Sequence, residues 1–68
     1  MISYDPFWLT LDLDEISTYT LIKKFHISSS TINRLKHNKA VSTATIAKIC
    51  EMLNCDVDEV MRFEPDEK

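Results

Sequence analysis

Between Ser17 and Lys39 the apolar residues fall at Leu21, Phe25, Ile27, Ile32 and Leu35. Leu21 and Phe25 stand one helical turn apart, as do Ile32 and Leu35, and only a few residues separate the pairs. Two short helices joined by a tight turn satisfy that spacing, and the rest of the chain must be arranged around them. With 68 residues, the chain has material for one domain with one core, and the whole of 1–68 reads as that domain. At 44% apolar and 28% charged residues it has the balance of a globular chain rather than a disordered one. A core this small must be compact and mostly helical, or be helped by a partner subunit.

Small polar residues punctuate the remaining pattern. Ser17, Ser28 and Ser42 each precede a periodic apolar run and read as N-caps, predicting helices over 18–25, 29–37 and 43–53. In the last of these, Ile46, Ile49, Cys50 and Leu53 follow the spacing of one buried face. Asp5 before Pro6 reads as the cap of a first helix reaching about Leu13, with Phe7, Trp8 and Leu11 inward. Leu9 and Leu13 fall partly on another face, as a wide core stripe or as a dimer contact. Asp56 is expected to cap a fifth short helix over 57–62, with Val60 and Met61 inward, before a charged, frayed tail over 64–68. Ile2 and Tyr4 at one end, and Met61 and Phe63 at the other, are suited to pair as short extended pieces. The expected fold class is therefore an all-α, compact five-helix domain.

The chain contains no glycine. Helix ends commonly need a residue with positive φ, and glycine is the usual choice. Asn38 and Asn54 are the natural substitutes, since asparagine tolerates the left-handed region. At the turn between the second and third helices the same task falls to His26, at some strain.

Charge is segregated along the chain. From Ile16 to Cys50 there are six cations (Lys23, Lys24, Arg34, Lys36, Lys39, Lys48) and no Asp or Glu, while four acids precede this stretch and seven follow it. The net charge of −3 thus hides a basic middle between acidic ends. Polyanion binding depends on local charge, so the helix pair and its cations together point to duplex DNA.

The run from Ser17 to Lys39 resembles the helix-turn-helix of the Cro and phage-repressor (XRE) family, with Leu21, Phe25, Ile27, Ser28, Ile32 and Leu35 at the framework positions. The flanks, Tyr4-Asp-Pro-Phe-Trp before it and Val41-Ser with Leu53-Asn-Cys-Asp after it, are similar to a short single-domain branch that includes VanU-like regulators. Two positions depart from the pattern: His26 stands where the family usually has glycine, and Ile22 where it often has a small residue.

The resemblance implies a lambda-repressor-like domain with its helix-turn-helix in the second and third helices, at about 17–39. It also implies a docking mode in which the third helix enters the major groove N-terminus first. Ser28, Ser29 and Ser30 would then face base edges or nearby phosphates. Asn33 is suited to adenine and Arg34 to guanine N7 and O6. Thr18 would hydrogen-bond a phosphate, and Lys36, His37, Asn38 and Lys39 would grip the backbone. The function so implied is a sequence-specific DNA-binding transcriptional regulator, expected to act as a homodimer through Leu9 and Leu13. A protein-interaction module on the same fold, no longer reading DNA, is the alternative that the acidic ends and the Ser-Ser-Ser edge would suit.

Other classes find little support. No glycine-rich phosphate loop or Ser/His/Asp spacing suggests an enzyme. Cys50 and Cys55, with His26 and His37, lack the paired CxxC spacing of zinc modules, and Cys50 fits a buried apolar stripe. No metal, cofactor or small-molecule ligand is expected. No apolar run approaches the roughly 20 residues of a membrane span, and the opening lacks signal-peptide character, so a cytoplasmic location is expected.

Overall fold

A computed structural model of the chain describes residues 1–65. Strand β1 (Ile2–Ser3) leads into helix α1 (Asp5–Leu13), followed by α2 (Thr18–Lys23), α3 (Ser29–Lys36) and α4 (Thr43–Leu53). A single 3₁₀ turn over Val57–Glu59 precedes strand β2 (Arg62–Phe63). The strands pair antiparallel, Ile2 opposite Phe63 and Ser3 opposite Arg62, so the two extended ends meet as their composition suggested.

Helices α2, α3 and α4 begin with one device. The hydroxyls of Ser17, Ser28 and Ser42 accept the backbone N–H of Thr20, Thr31 and Thr45 at 3.2, 3.1 and 3.2 Å. Each serine hydroxyl also meets the threonine hydroxyl at 3.0–3.1 Å. Such a cap satisfies an amide that the helix cannot, and is worth about 1 kcal/mol over alanine.

Helix α1 starts differently, which corrects the cap assigned to Asp5. Asp5 is the first helical residue, and Tyr4 is the N-cap without a side-chain bond. Pro6 has no N–H to satisfy. The Asp5 N–H donates to Ser3 Oγ at 3.2 Å. The Phe7 N–H is shared between the carbonyls of Tyr4 and Val60 at 3.0 and 3.1 Å. The returning C-terminal segment therefore does what a capping side chain does elsewhere.

Helix ends bear out the reading of a glycine-free chain. Asn38 and Asn54 have φ of 55° and 53°, and His26 has 61°. Glu15, which the sequence did not single out, joins them at 57°. After Glu15, Asn38 and Asn54 the next N–H reaches back five residues: Ile16 to Leu11, Lys39 to Arg34 and Cys55 to Cys50, at 2.9, 2.9 and 3.0 Å. This is the Schellman closure, made three times without glycine.

The expected fifth helix is corrected to one 3₁₀ turn. Glu59 Oε2 accepts the Asp56 N–H at 3.4 Å, so a helix start is present. The chain then straightens because Arg62 and Phe63 are taken up by pairing with the N-terminal strand. Four α-helices remain. Helices α2 and α3 also end before the expected 25 and 37, at Lys23 and Lys36. Glu64, where the frayed tail was expected to begin, is tied in: its N–H donates to the Met1 carbonyl at 2.8 Å. The tail residues 66–68 lie outside the described residues.

Phe7, Leu11, Leu21, Ile27, Ile32, Leu35, Ile46, Ile49, Leu53 and Val60 form the core, with Tyr4. Burying each is worth about 1.5–3 kcal/mol. Trp8, Phe25, Val41, Cys50 and Met61 pack at its edge.

Candidate nucleic-acid interface

Helix α3 is fixed to the scaffold along one side and at its far end. Ile32 and Leu35 are buried, while Ser29, Ser30, Asn33, Arg34 and Lys36 are exposed. The far end is held by residues from the start of the chain. The Tyr4 N–H donates to Asn38 Oδ1 at 3.0 Å, the Tyr4 hydroxyl to the Lys39 carbonyl at 3.0 Å, and Trp8 Nε1–H to the Leu35 carbonyl at 3.5 Å. These donors meet acceptors in and just past the last turn of α3, the region where a helix leaves carbonyls without intrahelical partners. Neither Tyr4 nor Trp8 was singled out for this role from the sequence. Their signal was chemical: each carries a polar tip on an apolar body, and such tips find a partner when buried.

The DNA-contact residues named from the sequence therefore divide into groups. Ser29, Ser30 and Asn33 make no side-chain hydrogen bond among the described residues and lie along the outer side of α3. Thr18, at the start of α2, is half-buried. Ser28 spends its hydroxyl on the α3 cap. Arg34 folds back, its Nη1 donating to the Ala40 carbonyl at 3.5 Å, long enough to be easily exchanged for another acceptor. Asn38 is half-buried and held by Tyr4 through its oxygen, so its amide NH₂ is what remains to donate. Lys36, His37 and Lys39 are exposed around that end.

The electrostatics follow the sequence. All six cations of the middle segment are exposed, and none has a carboxylate partner among the described residues. Arg62 pairs with Glu64 at 2.8 Å and Asp5 at 3.9 Å, inside the acidic ends. Lys23 Nζ lies 6.0 Å from the centre of the Tyr19 ring. Among the described residues, the cations of α2, α3, α4 and the loops between them thus stay without an acidic partner.

His26 and His37 do not gather with the cysteines among the described residues. Cys50 and Cys55 are free thiols and half-buried rather than fully enclosed. Burial pushes the Cys55 thiol up from 9.0 to about 11, with the Cys50 thiol and the carboxylates of Glu59 and Asp56 adding to the effect.

A model of the Cro/C1-type helix-turn-helix DNA-binding domain matches residues 8–66. The chain belongs to this family. The Cro/C1-type family is one of DNA-binding domains and not of enzymes. A solved structure, that of the transcriptional regulator VanUg, is 31% identical and superposes with a TM-score of 0.86, over 96% of this chain and 87% of that one. The VanU-like branch suggested by the flanks is therefore the right one. No curated protein sequence matches the chain.

The two departures from the Cro/C1-type pattern are both accommodated. His26 adopts the positive φ that glycine would supply. Ile22 is 39% exposed, so its side chain is not enclosed in the core. No helix among the described residues is long and apolar enough to cross a membrane.

Proposed function

We propose that this domain is a sequence-specific transcriptional regulator that reads the major groove with α3 and binds as a homodimer. The observation that carries the reading is the outer side of α3: Ser29, Ser30 and Asn33 are exposed and make no side-chain hydrogen bond among the described residues, and the same helix and the loop after it carry the exposed cations Arg34, Lys36 and Lys39. In this reading Ser29, Ser30 and Asn33 meet base edges, with Asn33 suited to adenine. Arg34 releases Ala40 and turns to a guanine. Thr18 hydrogen-bonds a phosphate, Ser28 donates its O–H to one while its oxygen keeps accepting in the α3 cap, and Lys36, His37, Asn38 and Lys39 hold the backbone beside the far end of the helix. VanUg, a transcriptional regulator of the same fold, supports the same biological role.

The exposed Leu9 and Leu13, at 62% and 82% amid acids, favour one other reading: a protein-interaction module. Selection of bound duplexes from a random DNA library separates the two. The regulator yields a palindromic consensus, and Arg34→Ala relaxes it at one base pair at a cost of about 1–3 kcal/mol. Failure to retain any duplex at low salt would overturn the DNA-reading assignment.

A further inference from the structure

We propose that the groove between α4, the 3₁₀ turn and the β-ribbon is the face through which two copies of this chain pair. This rests on the homodimer reading above and gives it a surface. The groove has a volume of about 680 Å³ and is lined mainly by Ile2, Val41, Ala47, Val57 and Met61, with Lys39 and Glu51 at its edge. Val57 is 53% exposed on this face. Phe63 is 67% exposed and stands directly opposite Ile2 in the ribbon. Directly opposed side chains of an antiparallel pair share a face, so Phe63 lies on the same face of the ribbon as Ile2, which lines the groove.

One face therefore holds both a concave apolar surface and an aromatic knob beside it. A two-fold dimer brings the same patch of each copy together, so a self-complementary patch is what it requires. Charge agrees with this occupant. Lys39 and Glu51 flank the groove with opposite signs, and neither side chain has a partner among the described residues. A two-fold pairing sets the lysine of one copy toward the glutamate of the other, so in the dimer Lys39 serves the pairing in place of the phosphate contact given to it above.

The competing apolar surface lacks this complementarity. The cleft beside Leu9 is lined by Asp5 and Asp12, with Arg62 as its cation, and Asp14 and Glu15 continue the acidic side near Leu13. Two copies meeting there would oppose like charges, which specific interfaces avoid. The groove also takes in Asn38 and Lys39, at the far end of α3. Pairing there brings the far ends of the two α3 helices toward one another.

Sedimentation velocity without DNA tests the assignment, with circular dichroism confirming that each variant is folded. The wild-type chain should show a concentration-dependent dimer. Val57→Glu and Phe63→Glu, at two exposed positions on different elements, should each raise the dissociation constant at least tenfold, while Leu9→Glu leaves it unchanged. Lys39→Glu and Glu51→Lys should each weaken the dimer, and the two combined should restore it. Dimerisation lost in Leu9→Glu but kept in both groove variants would overturn the assignment, as would a wild-type chain that stays monomeric. A monomer that binds a hydrophobic dye in the groove would overturn it too, marking a ligand site. A monomer that still selects a single half-site from the library would leave DNA reading standing and remove only the pairing face.

Discussion

His26 sits at φ 61° with a Cβ that crowds the following carbonyl, a conformation costing an ordinary residue roughly 1–2 kcal/mol. Its side chain is exposed and makes no hydrogen bond or ion pair among the described residues that would offset the cost. His26→Gly relieves the crowding but loosens the unfolded chain, an opposing effect of about 0.5–1 kcal/mol. The net expectation is a gain of up to about 1 kcal/mol, seen as a melting midpoint a few degrees higher; a lower midpoint would reveal a contact made by the imidazole. Cys55 gives a second expectation. Its thiol is raised to about 11, so the folded state favours the protonated form. The stability this lends is complete below about pH 9 and is lost as pH rises through about 11. Alkylation of Cys55, followed by mass spectrometry, should accelerate with a midpoint near pH 11; a midpoint near 9 would show a solvated thiol. Residue type alone disclosed Asn38, Asn54 and His26 as left-handed positions. It did not disclose Glu15, because nothing in a glutamate side chain favours that region. Only the Ile16 N–H closing onto Leu11 explains it.

Among the elements, α3 depends on donors that belong to no helix contact of its own. Tyr4→Phe removes only the hydroxyl that donates to the Lys39 carbonyl, leaving a half-buried acceptor unmet. A loss of about 1 kcal/mol in stability is expected. DNA affinity should fall as well, with unchanged helix content by circular dichroism, although Tyr4 faces the core. Unaltered affinity would mean that the far end of α3 keeps its place without this bond. The helices themselves were legible because serine caps and 3.6-residue periodicity are local signals. What escaped was non-local. Asp5 lost its capping role to backbone supplied by Val60, 53 positions away from Phe7, and the fifth helix yielded to a strand pairing that joins opposite ends of the chain.

At the scale of the whole molecule, the separation of charge decides behaviour more than the net value of −3. If four to six of the middle cations meet phosphates, the duplex selected from the library should be released with a log–log salt slope of about −4 to −5, near 0.9 per phosphate. A flat salt response would deny the phosphate contacts. The candidate interface was legible as a list of residues, since composition and spacing mark an exposed helix among cations. Its internal commitments were not: Arg34 bonded to Ala40, Ser28 spent on a cap and Asn38 held by Tyr4 depend on side-chain geometry that no spacing encodes. That last bond has a mechanical consequence. A ribbon of two-residue strands is marginal by itself, yet Tyr4, which follows its first strand, holds Asn38 and Lys39 beyond the end of α3; if α3 reads DNA as proposed, saturating the chain with duplex should slow amide exchange in the ribbon.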